Sequence, residues 1–191
     1  SISTIGVTNL TVTATNTYNG QTCTNTKDIT VINSGPPVIE GFETSDWTSN
    51  ENSITVITSG NGSYEYSLDG TTFQDENYFN NLAPGLYTIY VKDKAGCGIT
   101  LKTIWLLYYT KYFTPNGDGY NDYWRIEDAE NEPEFRVEIF DRYGKTVTAF
   151  TSKSAGWDGT YNGNLLVSDD YWFVAYRADG RTHKGHFSMK R

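Results

Sequence analysis

Tyr112-Phe113-Thr114-Pro115-Asn116-Gly117-Asp118-Gly119-Tyr120-Asn121-Asp122-Tyr123-Trp124 is the stretch from which the fold is read. Two aromatic, strand-like runs enclose a loop of turn residues and oxygen donors. Pro115 fixes one φ angle, and Gly117 and Gly119 accept positive φ. Asn116, Asp118, Asn121 and Asp122 crowd oxygens between apolar strands. That composition fits either a turn hydrogen-bonded through its own side chains or a hard-cation site, with calcium as the cofactor and those four residues as its ligands. Thr114 and Arg125 stand where a calcium loop of the EF type begins and ends with carboxylates. The loop also divides the chain by charge. Of the basic residues, only Lys27, Lys92, Lys94 and Lys102 precede Lys111, so the N-terminal part is distinctly acidic.

Outward from the loop, composition sets the class. The 191 residues leave room for one to three small domains. With 5 Trp, 15 Tyr and 9 Phe, and with no sustained 3.6-residue apolar stripe, the chain reads as all-β. A net charge of −8 argues against a nucleic-acid partner held through phosphates. No stretch resembles a signal peptide or a membrane span. The opening Ser1-Ile2-Ser3, without Met and inside a strand-like pattern, is expected to belong to the C-terminal part of a longer chain.

Residues 1–34 read as the tail of a preceding β module. Leu10–Thr15 alternates, Asn19-Gly20 is a hairpin turn, and Asp28–Ile32 is a second strand. Gly35-Pro36-Pro37 interrupts the pattern, because proline cannot donate to a sheet ladder. Residues 35–110 repeat the logic, with strands at Ser53–Thr58, Tyr64–Leu68, Tyr87–Val91 and Leu101–Leu107. Leu10…Cys23…Val31 aligns with Leu86…Cys97…Trp105 as an internal repeat. The cysteines would then be small buried thiols in successive modules, too far apart to bond. Residues 111–191 form a third unit of about seven short strands with explicit turns at Arg142-Tyr143-Gly144, Trp157-Asp158-Gly159, Asn162-Gly163 and Ala178-Asp179-Gly180. The expected fold is all-β: tandem Ig-like β-sandwich modules, the last a seven-stranded sandwich.

The third unit resembles the gliding-motility-associated C-terminal domain, the type B sorting domain of type IX secretion. The resemblance rests on Phe113–Asp122, Ile139–Lys145, Gly156–Gly163, Asp170–Phe173 and Gly185–Arg191, five motifs in order with the last ending the chain. Val167 departs, standing where the family's segment carries proline. Residues 35–110 resemble the SprB-like repeat of large surface adhesins, through Tyr64–Gly70, Phe73, Leu82–Tyr87 and Val91–Cys97. The resemblance implies the end of a secreted cell-surface adhesin of a gliding Gram-negative bacterium, with further adhesin modules upstream. It implies a terminal domain read by the type IX secretion machinery, and an outer-membrane partner of the PorP/SprF type.

Candidate partner-binding residues lie on the last two strands. Tyr171, Trp172 and Phe173 put aromatics on both faces of one strand, leaving Trp172 and Tyr176 near the surface unless loops cover them. Gly185, His186, Phe187, Lys190 and Arg191 form an alternating tail that either offers an edge and charge to a receptor or frays. A second possibility is adhesion to a glycan or surface polymer through Trp47, Tyr64 or Tyr66. Enzyme chemistry finds little support. His183 and His186 point to opposite faces of a strand, and no nucleophile elbow, paired-cysteine motif or phosphate loop is present. The carboxylates from Glu127 to Glu134 read as a solvated loop.

Overall fold

The computed structural model describes residues 6–33 and 35–191. These divide into two compact units. One takes the described residues up to Glu43 with Ile54–Phe79 and Thr88–Ile104; the other takes Thr44–Ser53, Asn80–Tyr87 and Trp105–Arg191.

The first unit begins with a long antiparallel ribbon, β1 (Gly6–Tyr18) against β2 (Gln21–Asn33). Asn19 and Gly20 both take positive φ, 48° and 78°, the two-residue turn whose twist matches the flanking strands. Leu10, Val12 and Ile29 are exposed, as is the threonine face opposite. The period-2 pattern therefore makes strands here without making a core.

Next come β3 (Val38–Ser45), β4 (Asn52–Ser59), β5 (Tyr64–Ser67), β6 (Tyr78–Leu82), β7 (Gly85–Asp93) and β8 (Ile99–Leu106). They build two three-stranded sheets, ordered β3-β4-β6 and β5-β7-β8. Ile39, Ile54, Val56, Phe79, Ile89 and Val91 fill the space between, and the Thr58 and Tyr66 hydroxyls share a hydrogen bond of 3.1 Å from one sheet to the other. This is an Ig-like sandwich. The cysteines correct two expectations. Cys23 is exposed on β2, opposite Asn16, while Cys97 sits half-buried in the turn after β7. They are neither both buried nor in equivalent places, and no disulfide joins them.

The second unit adds β9 (Tyr108–Tyr109), β10 (Tyr112–Phe113), β11 (Ile126–Glu127), β12 (Arg136–Phe140), β13 (Thr146–Thr151), β14 (Thr160–Tyr161), β15 (Asn164–Leu165), β16 (Asp169–Tyr176) and β17 (Thr182–Met189). One layer is the five-stranded sheet β10-β17-β16-β12-β13, parallel only at β10–β17. Facing it are the pairs β9–β11 and β14–β15 and a two-way bridge between Trp124 and Trp157, N–H to carbonyl at 2.9 Å each way. The core between the layers is largely aromatic. Trp124 stacks on Phe187 with ring centroids 3.9 Å apart, flanked by Phe113, Trp157, Tyr171, Phe173 and Tyr109. The Trp124 and Trp157 indoles find partners, Trp124 Nε1–H on Thr110 O at 3.0 Å and Trp157 Nε1–H on Thr160 O at 2.8 Å, as buried polar groups usually do. Three members of this core, Trp47, Leu107 and Tyr109, precede Lys111.

The acidic segment after β11 is not simply solvated. Glu132 is only partly exposed and, with Asp46, holds Arg177, whose side chain is 3% exposed. The Arg177 guanidinium donates to Glu132 Oε2 at 3.0 Å and Trp105 O at 3.1 Å, with a further contact to Asp46. Burial works against its charge, but the hydrogen bond with Glu132 and the fields of Asp46 and Glu132 outweigh it and raise its pKa. Breaking such a buried set strands charges of one sign.

Candidate functional site

Alternation along β16 decides which side chains meet solvent. Tyr171, Phe173 and Ala175 point into the core; Trp172, Val174 and Tyr176 point outward. Register then aligns neighbours. Phe140 on β12 lies opposite Trp172, and Trp172 lies opposite His186 on β17. Three ring side chains thus form one row across three strands. The next row is Glu138, Val174 and Lys184, and the one beyond is Arg136, Tyr176 and Thr182.

Phe140, Trp172 and Val174 line a concave groove of about 490 Å³ together with Arg142, Lys184 and His186. Trp172 is 44% exposed, a large apolar surface held on a rigid sheet rather than a loop. Arg142 donates through Nε to Asp169 Oδ2 at 2.7 Å and again through Nη2. That pairing raises the Arg142 pKa and holds Asp169 below the usual carboxylate range.

Of the expected partner-binding residues, the structure brings Trp172, Gly185 and His186 to this groove and leaves Tyr176 half-buried beside it. The Tyr176 hydroxyl donates to Glu138 Oε2 at 3.3 Å, and the Arg136 guanidinium lies 4.3 Å from its ring centroid. Two expectations are overturned. Tyr171 and Phe187 are 3% and 0% exposed, because the pleat turns them into the aromatic core. Gly185 serves the core as well. A Cβ there would come within 2.6 Å of Phe173 and 2.7 Å of the Tyr109 hydroxyl. His183, on the inner face, stacks on Trp47 at 4.2 Å, and its Nε2 is buried with no hydrogen-bond partner among the described residues. Burial pushes its pKa down, with Asp46 opposing and Lys111 adding to the shift.

The tail is tied down. Beyond its pairing with β16, β17 takes β10 alongside at Ser188 and Met189. The Arg191 guanidinium donates to Pro115 O at 3.1 Å, Gly159 O at 3.1 Å and Asp158 O at 3.4 Å. Arg191 is thus committed to closing its own domain, while exposed Lys190 lies 5.1 Å from the Tyr112 ring centroid.

The loop from Asn116 to Asp122 takes the hydrogen-bonded form. Asp122 Oδ1 accepts the amides of Gly117 at 2.7 Å and Asn116 at 3.0 Å, and Oδ2 accepts that of Gly119 at 2.8 Å. Asn116 Oδ1 accepts from the Asp118 amide and Asp118 Oδ1 from the Tyr120 amide. Amide donors, those of Gly117 and Gly119 first, hold the Asp122 pKa below the usual range. These side-chain oxygens accept from the loop's own N–H groups, the self-bonded alternative for this turn, and no cluster of three or more His, Cys, Asp or Glu suited to a metal occurs among the described residues. Trp47 and Tyr66, put forward for glycan contact, are each 7% exposed, and Tyr64 is half-buried with its hydroxyl taken by Ser59 O.

Sequence reasoning missed Phe140, Arg142, Val174 and Lys184 as groove residues, since strand register is not written in any local pattern. It also missed the Asp46–Arg177–Glu132 set, whose members are scattered along the chain.

Residues 107–189 match the CHU_C Type IX secretion signal domain. That match spans less than half of the chain; a type IX secretion signal implies a secreted, cell-surface-associated protein that interacts with the type IX secretion machinery. No curated protein matches the chain. Among solved structures it is similar to the protocadherin GammaB4 extracellular domain, at 13% identity and TM-score 0.29, covering 96% of this chain and 36% of that one. It is also similar to the Bacteroides ovatus mixed-linkage glucan utilization locus SGBP-B in complex with mixed-linkage heptasaccharide, at 14% identity and TM-score 0.25, covering 97% and 53%. Likenesses this loose transfer nothing to the present chain.

Proposed function

We propose that this chain is the C-terminal region of a secreted adhesin of gliding motility. Its terminal domain serves as the type IX export and surface-attachment signal, and a PorP/SprF-type outer-membrane protein is the partner. The observation that carries the reading is the row Phe140–Trp172–His186, an exposed aromatic surface on a sheet whose other face is fully packed. Anchors of this kind dominate binding energy when a partner desolvates them. Residues 35–110 act as an SprB-like spacer or adhesion module. Residues 1–34 complete a preceding module, a role supported by the unburied stripe of Leu10, Val12 and Ile29. The role is non-catalytic, and the site of action is the outer surface of the outer membrane.

The test is export of a reporter fused ahead of the chain in a type IX-competent host. The full chain is expected to carry the reporter to the cell surface, and deletion of Trp105–Arg191 to leave it in the periplasm. Surface delivery without those residues contradicts the proposal.

A further inference from the structure

His183 is a titratable side chain on the inner side of the sheet that the outer face does not use. Alternation on β17 turns it inward, opposite Ala175 on β16. Its ring lies parallel to the Trp47 indole, with centroids 4.2 Å apart and planes within 10°. Tyr109 and Phe173 stand on further sides, with ring centroids at 5.9 and 5.8 Å. Its Nε2 is enclosed, with no hydrogen-bond partner among the described residues. The two stacked rings wall a cavity of about 440 Å³ together with Thr44, Asp46, Arg177 and Arg181.

Charged groups face the ring from the elements packed around it, and each is already engaged. Asp46, beside Trp47, is held by Arg177. Arg177, after β16, is shared among Asp46, Glu132 and Trp105 O. Arg181, before β17, binds Asp179 at 2.7 Å and the Thr44 hydroxyl. Lys111, after β9, donates to the Tyr109 hydroxyl at 2.6 Å. A proton on His183 would add one more cation and a second claimant on Asp46.

We propose that the Trp47–His183 stack is an acid-sensitive latch: neutral, it holds the segment Thr44–Ser53 on the aromatic core, and protonated, it opens and lets Trp47 leave. A charged ring would place an N–H donor at Nε2 where no acceptor is within reach, and an unpaired buried charge costs far more than an unpaired neutral nitrogen. Relief comes when the ring reaches water, which separates it from the indole. Attraction to the indole face and to Asp46 favours keeping the charged ring in place; burial and Lys111 oppose it, and burial is the largest influence. The folded chain therefore prefers the neutral ring. The contribution of the latch is complete above about pH 6.5 and is lost as the pH falls from there through the depressed value. The latch is independent of what the outer face meets.

The experiment follows the full chain by NMR from about pH 7.5 to about pH 5, a range that brackets an ordinary histidine. The His183 ring signals report its protonation. The Trp47 amide, which donates to Leu107 O at 3.0 Å, reports whether the segment is held. As His183 takes up its proton, exchange of that amide, corrected for the intrinsic effect of pH, is expected to rise about ten-fold or more, the factor that one unit of displacement carries. The Trp124 indole N–H, deeper in the same core, is expected to keep its protection. His183→Phe keeps a ring on the indole and cannot charge, so its Trp47 amide should stay within about two-fold across the range. His183→Gln, neutral but without the stacked ring, should exchange faster than wild type near neutral pH and show no further rise in acid. An equal acid response in either variant assigns the effect to another group and overturns the latch. His183 protonated with the Trp47 amide still protected overturns it as well, and so does a His183 that stays neutral throughout the range.

Discussion

Strands β1 and β16 carry the same kind of message and meet different fates. Leu10, Val12 and Ala14 alternate with Thr11, Thr13 and Thr15 on β1; Tyr171, Phe173 and Ala175 alternate with Trp172, Val174 and Tyr176 on β16. On β1 the apolar set stays exposed. On β16 it is buried, because Trp124, Trp157 and Phe187 arrive from elsewhere in the chain to cover it. The outer set differs as well. β1 turns threonines to solvent, which bind water, whereas β16 turns out a tryptophan, which gains by losing it. Alternation specifies a strand; long-range partners decide whether one of its faces becomes a core.

Substitutions sharpen that contrast. Trp124→Ala should cost ~3–5 kcal/mol in chemical denaturation, because it empties the centre of the aromatic core. Arg177→Ala should cost a comparable ~3–5 kcal/mol by leaving Asp46 and Glu132 buried without their cation. A loss under about 1 kcal/mol there would mean that the carboxylates find water instead. In the loop, Asp122 titrates below the usual carboxylate range, so its contribution is complete near neutral pH and is lost as the pH falls through the depressed value. The Gly117 and Gly119 amides should lose exchange protection only in that acid window, and Asp122→Ala should remove the protection at every pH. Calcium should leave the melting temperature unchanged; a saturable rise would favour the cation reading of the loop. Val12→Thr on the ribbon should change stability by no more than about 0.5 kcal/mol, since no partner layer exists to notice it among the described residues.

Much of the architecture was legible beforehand. Asn19-Gly20, Gly144, Asp158-Gly159 and Asn162-Gly163 announced turns that the structure contains, because turn chemistry is local. The division of faces on β16 was legible for Trp172 for the same reason. Phe187 and Tyr171 were misplaced because their exposure depends on which layer covers them, and Glu132 because its partner Arg177 lies far along the chain. Pairing of Phe140 with Trp172 required a register that only the folded sheet supplies. Cys23 and Cys97 mislead for the opposite reason: an apparent repeat in sequence does not ensure equivalent positions in space.

Everything rests on a rigid outer face being the surface that is read, while the core behind it only holds that face in place. Export of a reporter carried by the full chain with Trp172→Ala, alongside a thermal melt of the same variant, tests this most directly. The account predicts an unchanged melt, because Trp172 is half in solvent, together with loss of surface delivery. Normal delivery by a folded Trp172→Ala chain would contradict it.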